Sequence, residues 1–135
     1  MANWADLVNY VRANYKIDKE EPGMLKLVFA TSDNRSQVVF LWRHTLMNGS
    51  EEWLLIESPF APLHSTPLDR VLSEIGEMVC GGAAAVGDHL TFRHAVPLAG
   101  MDANEFERPL LLVTSWVKSR PVVYEVPAAA LLAST

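Results

Sequence analysis

The chain has 135 residues, half of them hydrophobic, and sixteen acidic against eleven basic side chains give it a formal charge of −5. This is the composition of a folded domain with its own core, and the scattered Lys and Arg disfavour a nucleic-acid partner, because phosphate contacts need gathered positive charge. No apolar run approaches the roughly 20 residues a membrane helix needs; the single cysteine, Cys80, excludes an internal disulfide framework and, with no leader pattern at the start, leads to the expectation of a cytoplasmic protein.

From the N-terminus, the spacing predicts a helix from about Trp4 to Tyr15, capped by Asn3, with Trp4, Leu7, Val8, Val11 and Tyr15 on one face. Lys16 to Gly23 reads as a charged connector ending in a Pro-Gly turn. A meander of three strands follows. Met24 to Thr31 alternates Leu25, Leu27 and Phe29 with Met24, Lys26, Val28 and Ala30; Asp33-Asn34 turns the chain; Ser36 to His44 returns with Val38, Phe40 and Trp42 as its heavier apolar phase. Asn48-Gly49 makes the next turn, into a strand from about Glu52 to Ser58 that the prolines of Pro59 to Ser65 are expected to end.

Thr66-Pro67-Leu68-Asp69 supplies a cap, a proline at the first helical position and an acid in the first turn. Leu68, Val71, Leu72, Ile75, Met78 and Val79 then keep one face apolar until Gly81-Gly82. Ala83 to Val86 and His89 to Val96 read as two more strands across a Gly87-Asp88 turn. Asp102 to Glu105 is a capping box for a third helix through Phe106, Leu110, Val113 and Val117, which Pro109 either kinks or restarts. The expected architecture is a single α+β domain over residues 1–135, an antiparallel sheet of about five strands with helices in the order α-β-β-β-α-β-β-α, and 120–135 an extended tail.

Catalytic signatures are absent: no G-x-S-x-G elbow, P-loop or dinucleotide fingerprint occurs. His44, His64, His89 and His94 lack metal-ligand spacing, and no activating base can be placed beside Cys80. Neither a metal nor a cofactor is expected, and the reading is non-enzymatic.

The anomaly is the second face of the sheet. With Leu25, Leu27, Phe29, Val38, Phe40, Trp42, Leu54 and Ile56 assigned to the helices, the opposite face carries Val28, Val39, Leu41, Trp53 and Leu55, whereas a sheet solvated on one side shows a cleaner polar phase. Either a helix or the Val122 to Ala133 tail covers that face, or it contacts another chain. In the second case Val39, Leu41, Trp53 and Leu55 are the partner-binding candidates, for a homodimer partner or a protein client. The alternative function is a small-ligand or enzymatic pocket built from Arg35, Gln37, Arg93 and His94, although an Arg35 to Asp33 ion pair is the plainer reading of that arginine.

Several local features look like the YbjN-domain family: Trp4 with Tyr10-Val11, Arg35-Ser36-Gln37 leading into the second strand, Trp53 ahead of Glu57-Ser58-Pro59-Phe60, and Arg93-His94 before Pro97-Leu98. Together with the element order, they resemble the type III secretion chaperone-like fold over roughly residues 3 to 118. Pro109 and the Ala-rich tail depart from that pattern. The resemblance implies a chaperone-like regulator without an established reaction. Its related chaperones are small acidic homodimers that hold extended segments of partner proteins on apolar surfaces.

Overall fold

A computed structural model of the chain describes residues 1, 3–30 and 36–120. Its elements in chain order are α1 (Trp4–Asn14), β1 (Ile17–Glu21), β2 (Met24–Ala30), β3 (Ser36–Leu46), β4 (Glu51–Pro62), α2 (Leu68–Gly76), β5 (Gly82–Val86), β6 (His89–Pro97) and α3 (Ala103–Lys118). The strands form one six-stranded sheet, ordered β1-β2-β3-β4-β6-β5, with every pairing antiparallel. Side-chain caps start two of the helices: Asn3 accepts from the Asp6 amide at 2.9 Å, and Asp102 from the Glu105 amide at 2.7 Å. Each satisfies a first-turn donor that no helical carbonyl can reach. α3 runs unbroken through Pro109, so the chain does not restart there; what proline removes is its amide bond to the Glu105 carbonyl.

The helices share one side of the sheet. Leu7, Val8 and Val11 of α1, Val71 of α2 and Phe106, Leu110, Val113 and Val117 of α3 join Leu25, Leu27, Val39, Leu41, Leu54 and Ile56 in one buried cluster. Trp116 of α3 stacks on Phe92 of β6, centroids 4.3 Å apart, and meets Phe60 of β4 edge-on at 4.8 Å. These aromatic contacts fix α3 over the β4–β6 half of the sheet. None of the described helices is long and apolar enough to cross a membrane.

Several expectations need correction. β1 occupies the supposed charged connector. Only Ile17 of its residues is apolar, and Asp18, Lys19, Glu20 and Glu21 are exposed, so it carries no periodic signal while its charges guard the sheet edge. β4 continues past Pro59: a bulge between Pro59 and Ala61 carries its ladder with β6 on to Pro62. Because β3 pairs with β4 only as far as Glu57, these prolines fall where one side of the strand has no ladder to interrupt. α2 stops at Gly76 rather than at Gly81-Gly82, as glycine's low helix propensity allows. Thr66 does not cap it; its hydroxyl donates to the Pro62 carbonyl at 2.6 Å.

The phase of β3 is also reversed. Leu25 pairs with Leu41 and Leu27 with Val39, so Val39 and Leu41 face the helices, while Val38, Phe40 and Trp42 face away. A one-residue slip flips every side chain of a strand, and where both phases are apolar their bulk does not reveal the register. The Asp33-Asn34 turn, the Val122 to Val126 extended segment and the proposed Val122 to Ala133 cover lie outside the described residues.

Candidate protein-binding trough

Cross-strand partners point to the same face, so the registers determine what the helix-free side presents. Met24 lies opposite Trp42, Val28 opposite Val38, Trp42 opposite Leu55, and Phe40 opposite Glu57. Met24, Val38 and Phe40 form a second buried cluster with Trp42 and Val86 packed against it, and every one of these residues comes from a strand. Met24 is only 1 % exposed and Phe40 0 %. The rings of Phe40 and Trp42 stack, with centroids 5.6 Å apart and planes 22° from parallel.

Val86 belongs to β5, which lies three places from β3 in the sheet. A flat sheet would hold those strands about 14 Å apart, so the contact requires the sheet to curl toward this side. The curl makes a trough, with a pocket of about 210 Å³ lined by Trp42, His44, Leu55, Glu57, Val86 and Arg93.

Glu57 lies on its floor, 2 % exposed. Its Oε2 accepts from the Thr91 hydroxyl at 3.3 Å and lies 3.6 Å from Arg93 Nε. A carboxylate buried this deeply needs such partners, since water no longer solvates it. The trough therefore offers apolar contact around one internal ion pair. Among the described residues, no group of three or more His, Cys, Asp and Glu is placed to hold a metal ion.

The structure separates the residues that sequence reasoning grouped. Trp53 and Leu55 lie on the outer side, Trp53 toward the β3–β4 hairpin with its indole N–H donating to Glu51 at 3.3 Å. Val39 and Leu41 do not; they are buried in the helix-side core. The residues missed are Met24, Val38, Phe40, Trp42 and Val86, and the signal for three of them was the heavier phase of β3, assigned to the wrong face.

Among the ligand candidates, Gln37 points to α3, its amide donating to the Thr114 carbonyl at 3.2 Å. His94 is also on the helix side, opposite Ile56, but the strand registers put it about 16 Å from Gln37. Arg93 pairs with Glu57 on the outer side, because neighbouring strand residues point to opposite faces. Arg35 lies outside the described residues. The three described residues, Gln37, Arg93 and His94, do not converge. Burial lowers the His94 pKa below the ordinary histidine value of 6.5, so the unfolded chain takes up that proton first and acidification through this region reduces stability.

Gln37 instead lines a helix-side pocket of about 340 Å³ with Tyr15, Phe29, Glu107 and Thr114. Glu107 accepts from the Tyr10 hydroxyl at 2.7 Å through one oxygen and from the Tyr15 hydroxyl through the other. Burial first, and the bond to Glu107 second, hold the Tyr15 phenol above the usual tyrosine range; for Tyr10, raised as well, the hydrogen bond is the larger cause. With both oxygens engaged, Glu107 ties the end of α1 to α3.

No family model matches the chain, and no curated protein matches it. Membership of the YbjN family is therefore not shown. Among solved structures the chain is similar to one from the HopA1–SchA chaperone–effector complex, at 11 % identity and a TM-score of 0.59, over 82 % of this chain and 85 % of that one. At that identity the likeness concerns the fold: three helices on one side of a six-stranded antiparallel sheet make a chaperone-like α+β architecture.

Proposed function

We propose that this chain is a non-enzymatic, chaperone-like protein-binding module whose outer trough holds an extended apolar segment of another protein. The observation that carries this reading is the strand-only cluster of Met24, Val38, Phe40, Trp42 and Val86 on the side away from the helices. The cluster itself is buried, but Trp42 and Val86 over it are partly exposed and line a concave pocket, the kind of surface that binds a partner, and the fold likeness to a chaperone–effector complex supports the same reading. Trp42 and Val86 supply the contact, backed by the buried Leu55 and by the Arg93–Glu57 ion pair. The small-ligand alternative lacks the convergence it requires, since Gln37 and Arg93 lie on opposite faces.

We also propose that the module is a homodimer. Leu68 and Leu72 of α2 are exposed, as is Val79 beyond its end, and β5, on which α2 packs, pairs among the described residues with β6 alone, on one of its two edges. Exposed aliphatic side chains beside an edge strand suit a second copy of the same surface.

An array of extended apolar peptides tests the trough. The protein is expected to bind a subset saturably, Trp42→Asp to weaken that binding about tenfold or more, and Leu111→Asp, on the exposed face of α3, to leave it unchanged. Undiminished binding by a folded Trp42→Asp variant would remove the site from the trough.

A further inference from the structure

The helix-side pocket is built from one stripe of α3 and the end of β2. Glu107, Leu110, Leu111, Thr114 and Lys118 follow one another at helical spacing, so they share a face, and Phe29 closes the pocket from the sheet. At about 340 Å³ it has the size of a small-molecule site.

Its polar lining is rich in acceptors. Glu107 takes the Tyr10 and Tyr15 hydroxyls, one on each oxygen, and each oxygen of a carboxylate has a further lone pair. No cation among the described residues pairs with it. Gln37, only 3 % exposed, donates through its amide nitrogen to the Thr114 carbonyl and the Ser58 hydroxyl. A carbonyl can only accept, which fixes the orientation of that amide and leaves its Oε1 without a donor among the described residues. The Thr114 hydroxyl spends its proton on the Leu110 carbonyl at 2.9 Å, so toward the pocket it too can only accept.

Position then selects among donors. Glu107 is bonded to Tyr15, whose ring meets Phe29 edge-on with centroids 6.2 Å apart, and a carboxylate beside aromatic rings favours an ammonium group. Thr114, with the Gln37 amide bonded to its carbonyl, lies two turns on, about 10 Å along the axis, which is too far for one ammonium to reach both. Lys118 follows one turn later, makes no ion pair among the described residues, and disfavours a second positive charge at that end. Leu110 and Leu111 line the span between. We propose that this pocket binds a primary amine whose apolar chain carries a hydroxyl at its other end, with the ammonium on Glu107 and the hydroxyl donating to Gln37 Oε1. The pocket lies across the sheet from the trough, so this assignment does not depend on the protein-binding reading.

Titration of the isotope-labelled full chain, followed by NMR, tests it. The probe is aminohexanol, with its amine and hydroxyl at opposite ends, and saturable shifts are expected at the backbone amides of Phe29 and Leu111 and at the Gln37 side-chain amide. Hexanol, which lacks the ammonium, is expected to bind about tenfold or more weakly, and hexylamine, which lacks the hydroxyl, about two- to tenfold more weakly. Hexanediamine should also bind less well than the amino alcohol, because its second charge meets Lys118. Glu107→Gln is expected to abolish the preference for aminohexanol over hexanol while leaving hexanol affinity unchanged, whereas loosening of the tie between α1 and α3 would weaken both alike. If that variant fails to fold, the ranking on the unaltered protein decides. Hexanol binding as tightly as aminohexanol, a preference for hexanoate, shifts confined to Trp42 and Val86 in the trough, or no saturable shift each overturns the proposal.

Discussion

At Gly81 the backbone has a φ of +89°, and a Cβ built there would fall 2.4 Å from Cζ of the Phe92 ring. That ring is itself pressed against Trp116 on its stacked face, which limits how far it can withdraw. Gly81→Ala is therefore expected to cost about 1 kcal/mol for left-handed backbone and about 1–3 kcal/mol more for overpacking, measured by urea unfolding. Gly49 provides the control, because its φ is +85° but nothing lies within 4 Å of its added Cβ, so Gly49→Ala should show only the backbone share. Equal losses at both sites would mean that the Phe92 contact is not what requires glycine. The sequence alone indicates a glycine-dependent break here and assigns it to the end of a helix. The actual requirement comes from a ring on β6, a strand away, which no local pattern contains.

At the scale of elements, α2 and β5 form the surface on which the proposed dimer depends. Leu72 is 63 % exposed, so Leu72→Asp should leave the folded protomer intact and act only on association. Light scattering is expected to give twice the chain mass for the unaltered protein and the single mass for the variant. A variant that remains dimeric, or an unaltered protein that is monomeric, would discard this interface. The elements themselves were largely legible: the caps at Asn3 and Asp102 and the alternation of β2 and β6 all act locally. What escaped was set by pairing. β1 is too polar to show an apolar period, the β4 prolines are tolerated because β3 stops pairing at Glu57, and the face taken by β3 depends on its register with β2. The candidate site inherits that last ambiguity. Its existence was readable from a sheet with two apolar faces, but Val39 and Leu41 were exchanged for Val38, Phe40 and Trp42.

For the molecule as a whole, the consequence is a sheet with two unlike sides, one sealed by helices and one curled into a trough. Each side carries its own phenylalanine–tryptophan stack, Phe92 with Trp116 under α3 and Phe40 with Trp42 in the trough. Trp42 and Trp116, two of the four tryptophans, are thus native optical reporters separated by the thickness of one sheet once Trp4 and Trp53 are replaced by Phe. Trp42 emission should shift when the trough is filled or emptied, whereas Trp116, buried against the core, should respond only when the fold is lost. In a background with Trp4→Phe and Trp53→Phe, adding Trp116→Phe is expected to retain the spectral shift on peptide addition, and adding Trp42→Phe to lose it; the reverse result would place the responsive surface on the helix side. Occupancy of the trough and integrity of the fold can in this way be followed in one sample, with no label attached.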